Sequence, residues 1–123
     1  MRHARLGRTG LSVSRLCLGT MTFGLQCDEA TSRDILDRAA AGRITVLDTP
    51  DLYPLAGGFQ AVGLTEEMVG RWLEGRRSDF VVATKCVGAM SARRWDRGAS
   101  RKHVLYAIEG SLRRLRTHYD CLY

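Results

Sequence analysis

Three nearly apolar runs, 15-RLCLGT-20, 45-TVLDT-49 and 80-FVVATKC-86, are each followed by a segment of helical periodicity, and 119-YDCLY-123 begins another such run. That alternation leaves few folds open, because strand, helix, strand at this spacing makes parallel βαβ units. A helix near 29–41 takes Asp28 as its N-cap, gathers Ala30, Ile35, Leu36, Ala39 and Ala40 towards one side, and ends at Gly42. A second, near 65–74, has Thr65 as N-cap and Glu66 and Glu67 in its first turn, where the helix dipole favours acids. Its apolar stripe is Met68, Val69, Trp72 and Leu73, and Gly75 stops it. A third, near 101–117, is capped by Ser100 and striped by Val104, Ala107, Ile108, Leu112 and Leu115. Ahead of all this, 4-ARLGRTGLSVS-14 reads as a hairpin turning at Arg-Thr-Gly.

Parallel units of this kind build either an open doubly wound sheet or a closed (β/α)8 barrel. A dinucleotide-binding open sheet carries Gly-x-Gly-x-x-Gly after its first strand, and 19-GTMTFG-24 lacks that spacing. The barrel is favoured. In a barrel, functional groups sit at the C-terminal ends of several strands. Gly19, Asp48 and Lys85 all occupy that place.

Composition narrows the class. With 45% apolar and 26% charged residues the chain is globular, and its apolar runs fall far short of the roughly 20 residues that cross a bilayer. The N-terminus lacks the apolar core of a secretory signal, which predicts a cytoplasmic protein. Cys17, Cys27, Cys86 and Cys121 form no Cys-x-x-Cys pair, and His3, His103 and His118 stand at no metal-ligand spacing, so no metal is expected. The cysteines are expected as free thiols, mostly buried in strands. The net charge of +6 comes largely from arginines in 93-RRWDRGASRK-102 and 113-RRLR-116. A solvated helix face explains Arg113, Arg114 and Arg116, with Glu109 placed to pair with Arg113, better than a nucleic-acid surface does.

Asp48 followed by Thr-Pro-Asp is also good turn chemistry, and a lysine at a strand end can simply satisfy a carboxylate. Taken together, Asp48, Tyr53 and Lys85 support a sharper reading. Neighbouring strands lie about 4.8 Å apart, so Lys85 and Asp48 can pair at the barrel mouth. A lysine beside Tyr53 would make the phenol a better proton donor, which carbonyl reduction needs once hydride has reached carbon.

The segments 6-LGRTGLSVSRLCLGTMTFG-24, 47-LDTPDLYP-54, 64-LTEEMVGRWLEGRR-77, 81-VVATK-85 and 100-SRKHVLYAIEGSLRRLRTHY-119 together resemble the N-terminal part of the aldo-keto reductases. The resemblance runs nearly end to end. It implies an α/β fold, the N-terminal half of a (β/α)8 TIM-type barrel, with an N-terminal β-hairpin and about four βα units within residues 1–123. It implies NADPH bound across the barrel mouth, a small aldehyde or ketone as substrate, and an Asp, Tyr, Lys, His tetrad. Asp48, Tyr53 and Lys85 match the first three, with Tyr53 as proton donor. Gly19, Thr20 and Met21, with Asp48, would lie near the nicotinamide, and Phe23 would line the carbonyl pocket with Tyr53.

The sequence departs from that pattern in places. The family continues after Leu-Tyr with Gln, one variable residue and the tetrad histidine, whereas this sequence ends at Tyr123. His118, at the start of the fourth strand, is at the barrel's far end and is no substitute. Pro50 stands where alanine is usual, Cys121 where a carboxylate is usual, and one extra residue falls around Arg43. The expectation is a fragment of a reductase, inactive alone. The alternative is a non-catalytic half-barrel that self-associates or docks through its uncovered sheet face, where Leu16, Leu18, Val46, Val81 and Ala83 would lie.

Overall fold

The computed structural model describes residues 1–123. Strands β1 (His3–Arg5) and β2 (Ser12–Ser14) form an antiparallel hairpin. Then β3 (Cys17–Gly19), α1 (Glu29–Ala41), β4 (Val46–Asp48), α2 (Leu64–Trp72), β5 (Val81–Thr84), α3 (Arg101–Arg114) and β6 (Cys121–Leu122) alternate along the chain. The second sheet is parallel throughout, in the order β3-β4-β5-β6. This is an open arc of β/α-barrel architecture rather than a closed barrel.

Local chemistry starts and stops the helices. The Asp28 carboxylate accepts the Thr31 N–H at 2.8 Å and opens α1, and Gly42 closes it. The Ser100 hydroxyl does the same for α3 by accepting from His103 N–H at 3.2 Å. At α2 the outcome differs from the sequence expectation. The helix begins at Leu64 behind Gly63, which sits at φ +85° with the Arg114 side chain packed where a Cβ would go. Thr65 is fully buried and donates its hydroxyl to the Phe23 carbonyl at 2.8 Å, so a tertiary partner replaces the expected cap.

One apolar core lies between the sheet and its helices, formed by Phe23, Leu36, Leu47, Val69, Trp72, Leu73, Phe80, Val82 and Leu115. Trp72 meets Phe80 edge-on at 4.9 Å and donates its indole N–H to Asp37 at 2.7 Å, tying α2 to α1. Two helix faces are rotated from their expected stripes. On α1 Ala30 is exposed while Ser32, Leu36 and Ala39 are buried. On α3 the buried positions are His103, Ala107, Gly110 and Ser111, and Val104, Ile108 and Leu112 are half-buried. Arg113 and Arg116 are exposed as expected, Arg116 pairing with the exposed Glu74, but Arg114 is half-buried and paired with the buried Glu66. Glu109 and Arg113 form no ion pair, while the Arg71 guanidinium grips Glu29 with two bonds of 2.9 Å.

The inner face of the sheet is covered only in part. Val82 and Thr84 of β5 are buried against the helices, but Val81 and Ala83 are half-buried on the other side, the face expected to be uncovered. They line a cavity of ≈ 560 Å³ with Val46, Cys17 and the hairpin's Leu6, Leu11 and Val13. Leu18 belongs to the helix side, where it packs on the core, and Leu16 is exposed. Reciprocal bonds between Ser14 and Thr45, at 3.2 and 2.9 Å, fasten the hairpin to the start of β4. Of the cysteines only Cys86 is buried; Cys17 and Cys121 are exposed, because their strand faces are the open ones.

Gly70 lets α2 and α3 touch, since a Cβ there would overlap the Arg114 carbonyl. Gly70→Ala should therefore destabilise by about 1–3 kcal/mol through overpacking. Chemical denaturation would report it as a lower midpoint at an unchanged slope, and an unmoved midpoint would contradict the close approach.

Candidate active site

The parallel register sets the site. Gly19 of β3 lies opposite Asp48 of β4, and Asp48 opposite Ala83 of β5, with Lys85 just past the end of β5. The ladder continues beyond the strands: Thr49 N–H reaches the Ala83 carbonyl at 2.9 Å and Asp51 N–H the Lys85 carbonyl at 3.2 Å. The extra residue at Arg43 does not disturb this. Arg43 takes φ +59° in the turn after α1, so the insertion is absorbed before β4 starts.

At the mouth the Lys85 ammonium lies 3.2 Å from Asp48 Oδ2. The other carboxylate oxygen, Oδ1, accepts the Tyr123 hydroxyl at 2.7 Å. The Lys85 Nζ stands 5.1 Å from the Tyr123 ring centroid. Burial pulls the Lys85 pKa down, but bonds to Tyr123 and Asp48 and the attraction of Asp48 outweigh it and hold it above the ordinary lysine value. The Tyr123 phenol is raised too, first by donating to Asp48 and then by burial, with Lys85 opposing.

Of the residues expected in a site, the structure brings Asp48 and Lys85 together and leaves Tyr53 outside their hydrogen bonds. Tyr53 is half-buried on the loop after β4, its backbone carbonyl accepting from Gly63 N–H at 3.2 Å. Tyr123 fills the place beside Lys85 that was expected for Tyr53, because it follows β6 in register with the lysine's strand. Gly19 and Met21 are exposed at the mouth. Thr20 is buried, and both its N–H and its hydroxyl donate to the Asp48 carbonyl, at 3.1 and 2.9 Å. It fixes the strand end that carries Asp48. Phe23, expected in an open carbonyl pocket, is 1% exposed inside the apolar core, since the turn after β3 folds back onto α1 and α2.

Two features escaped the sequence. The glycine-rich stretch after Tyr53 reads as a connector, yet it encloses an apolar pocket of ≈ 330 Å³ with Leu52, Pro54, Leu55, Phe59, Val62 and Ala89. Its signal was the run of apolar residues between the glycines. Behind the mouth lies a buried acidic layer. Glu66, expected in the first turn of α2 for the helix dipole, is fully buried and accepts from the Thr84 hydroxyl at 2.9 Å and from Arg114 Nε at 2.7 Å. Burial raises its pKa, with Arg114 opposing. Asp51 is 1% exposed, and burial followed by the Glu66 charge pushes it up to about 7, against Arg114, His103 and the Leu52 N–H.

Parallel βα units with an acid and a lysine facing each other at adjacent strand ends have the arrangement of the β/α barrels, whose functional groups stand at the C-terminal face of the strands. Comparison with known proteins carries this to a family. The family model for the aldo/keto reductases matches residues 15–123. An uncharacterised oxidoreductase of Bacillus subtilis, YrpG, is 42% identical over the whole chain, which spans 39% of that relative. Protein Tas of Escherichia coli is 39% identical, again over the whole chain and 37% of the relative. Among solved structures, the holo form of an aldo-keto reductase from Bacillus halodurans superposes with a TM-score of 0.82 at 36% identity, over 98% of this chain and 38% of that one. The chain belongs to the aldo/keto reductase family, and it spans less than two-fifths of the length of the curated relatives it matches.

The buried Asp51 makes stability depend on pH. Its carboxyl holds a proton more tightly folded than unfolded, so stability falls as pH rises from about 4 to about 7 and levels off above. The difference is on the order of 4 kcal/mol at most. Asp51→Asn should thus raise the denaturation midpoint at pH 8 and change it little at pH 4. Equal midpoints at pH 8 would contradict the buried charge.

Proposed function

We propose that the whole protein reduces aldehydes or ketones to alcohols at the expense of NADPH, with Tyr53 giving the proton to the carbonyl oxygen. The observation that carries this reading is the Asp48–Lys85 pair, 3.2 Å apart at the ends of adjacent parallel strands, in a chain of this family. The cofactor fits the residues present. A Cβ at Gly19 would meet nothing within 4 Å, so the end of β3 leaves room for a flat ring beside the exposed Met21 and above Asp48. When bound, NADPH supplies the hydride that reaches the carbonyl carbon.

The chain's residues then manage the proton. The carbonyl oxygen becomes an alkoxide as the carbon is reduced, and Tyr53 protonates it to the alcohol. For this, the Tyr53 phenol must come beside Lys85 in the whole protein, in the place Tyr123 takes here, where the ammonium would stabilise the negative charge left on the phenol. Asp48 holds the ammonium in place. Tyr123 is the weaker candidate for the acid, since its hydroxyl is committed to Asp48 and its pKa is raised, whereas Tyr53 takes no part in that bond. The apolar pocket that begins on either side of Tyr53 suits the hydrocarbon part of a substrate.

A second reading rests on the open inner face. Its cavity of ≈ 560 Å³ is lined chiefly by apolar residues, among them the exposed Leu6 and Leu122. Residues 1–123 expressed by themselves should associate through it. A monomer at tens of micromolar by light scattering would remove that reading.

Residues 1–123 alone should not oxidise NADPH with an aromatic aldehyde, because the remaining barrel strands complete cofactor and carbonyl positioning. Supplied with those strands, Tyr53→Phe should abolish turnover and leave NADPH affinity nearly unchanged. NADPH absorbance and a binding titration check both. Loss of binding in Tyr53→Phe would mean that the phenol serves the cofactor instead.

A further inference from the structure

We propose that His103 is a positioning residue for Lys85, holding the end of the lysine's strand from the helix layer through the Cys86 carbonyl. The proposal rests on the role given to Lys85 above.

His103 stands in the first turn of α3 with its side chain fully buried. Its Nε2 lies 2.6 Å from the Cys86 carbonyl oxygen. A carbonyl only accepts, so Nε2 carries a hydrogen and donates it. The other ring nitrogen, Nδ1, lies 3.3 Å from Asp96 Oδ1, off the line of a good hydrogen bond. Asp96 is itself buried and is the knot of the loop after β5. It accepts the Ser91 hydroxyl on Oδ2 at 2.5 Å, its carbonyl accepts Met90 N–H at 3.1 Å, and its N–H reaches the Arg93 carbonyl at 3.1 Å. The loop closes where Gly98 N–H meets the Val87 carbonyl at 3.0 Å.

The backbone at Lys85 and Cys86 is therefore held from two sides. Asp51 N–H grips the Lys85 carbonyl at 3.2 Å from the neighbouring strand end, and His103 grips the next carbonyl from behind. Beyond this point the chain leaves the sheet, so no strand partner could do the second job. Burying an imidazole and a carboxylate is costly, and apolar residues of similar volume would pack α3 on the sheet as well. An apolar side chain could not aim an N–H at carbonyl 86. That peptide is one residue past Lys85, so its rotation reaches the lysine through the Cys86 backbone, and displacement of a reacting group by about 1 Å can cost about 100-fold in rate.

The test compares His103→Leu, which cannot donate, with His103→Gln, whose amide can, in the intact protein. Lys85 is read directly by NMR titration of 13C-labelled lysine. The wild type should titrate above the ordinary lysine value, His103→Leu should fall back towards it, and His103→Gln should keep most of the shift. In turnover, His103→Leu should lose on the order of 100-fold in kcat with little change in KM for cofactor, and His103→Gln should recover most of it. A folded His103→Leu protein with Lys85 titration and kcat unchanged would overturn the proposal, leaving His103 as packing only. If His103→Leu fails to fold, His103→Gln decides: a folded protein with Lys85 released overturns the proposal, and one with Lys85 retained supports it. Absence of turnover in the wild type would defeat the reductase reading, and the NMR comparison would still decide the positioning.

Discussion

The level alignment of three parallel strand ends is the constraint on which the rest of the molecule depends. Gly19, Asp48 and Ala83 stand side by side because β3, β4 and β5 pair without a slip. A slip of one residue would turn each side chain to the opposite face of the sheet. Asp48 would then point into the helix layer and Lys85 would lose its partner. The register is held at both ends, by the Ser14–Thr45 bonds at the start of β4 and by the bonds of Thr20 to the Asp48 carbonyl at its close.

The helix layer contributes more than an apolar cover. Behind the mouth its Glu66, Arg114 and His103 meet Thr84 of β5 and the loop residues Asp51 and Asp96, all of them buried except the half-buried Arg114. Such groups are expensive to bury and are tolerated when paired. They sit under the strand ends and the loops that follow, where an apolar core could not direct individual peptides. The apolar cluster of Trp72, Leu73, Val82 and their neighbours holds the layers together, and the polar layer orients what stands above it.

Much of this could be read from the residues, and the misses have physical causes. Asp28 and Ser100 are helix caps because nothing competes for their oxygens. Thr65 looked like a third cap, but its hydroxyl meets the Phe23 carbonyl, a residue distant in sequence. Helical periodicity located α3 yet missed its buried face, because His103 and Ser111 are polar and do not register in an apolar stripe. Phe23 followed a strand end and resembled a pocket residue, while the fold of its turn delivers it to the core. Asp48 and Lys85 were legible because strand-end position alone determines their meeting. The place of the phenol was not, since Tyr53 lies on a loop whose path depends on Gly63, Thr65 and the pocket it encloses.

The central claim is that Tyr53 gives its proton to the carbonyl oxygen, with Lys85 beside the phenol and Asp48 holding the ammonium. A crystal structure of the intact protein with oxidised cofactor and an unreactive carbonyl analogue measures this most directly. The expected result has the Tyr53 hydroxyl about 2.6–3.2 Å from the analogue's carbonyl oxygen, with Lys85 beside the phenol and still paired to Asp48. A complex in which Tyr53 points away from the carbonyl, or in which Lys85 leaves Asp48, would contradict the account.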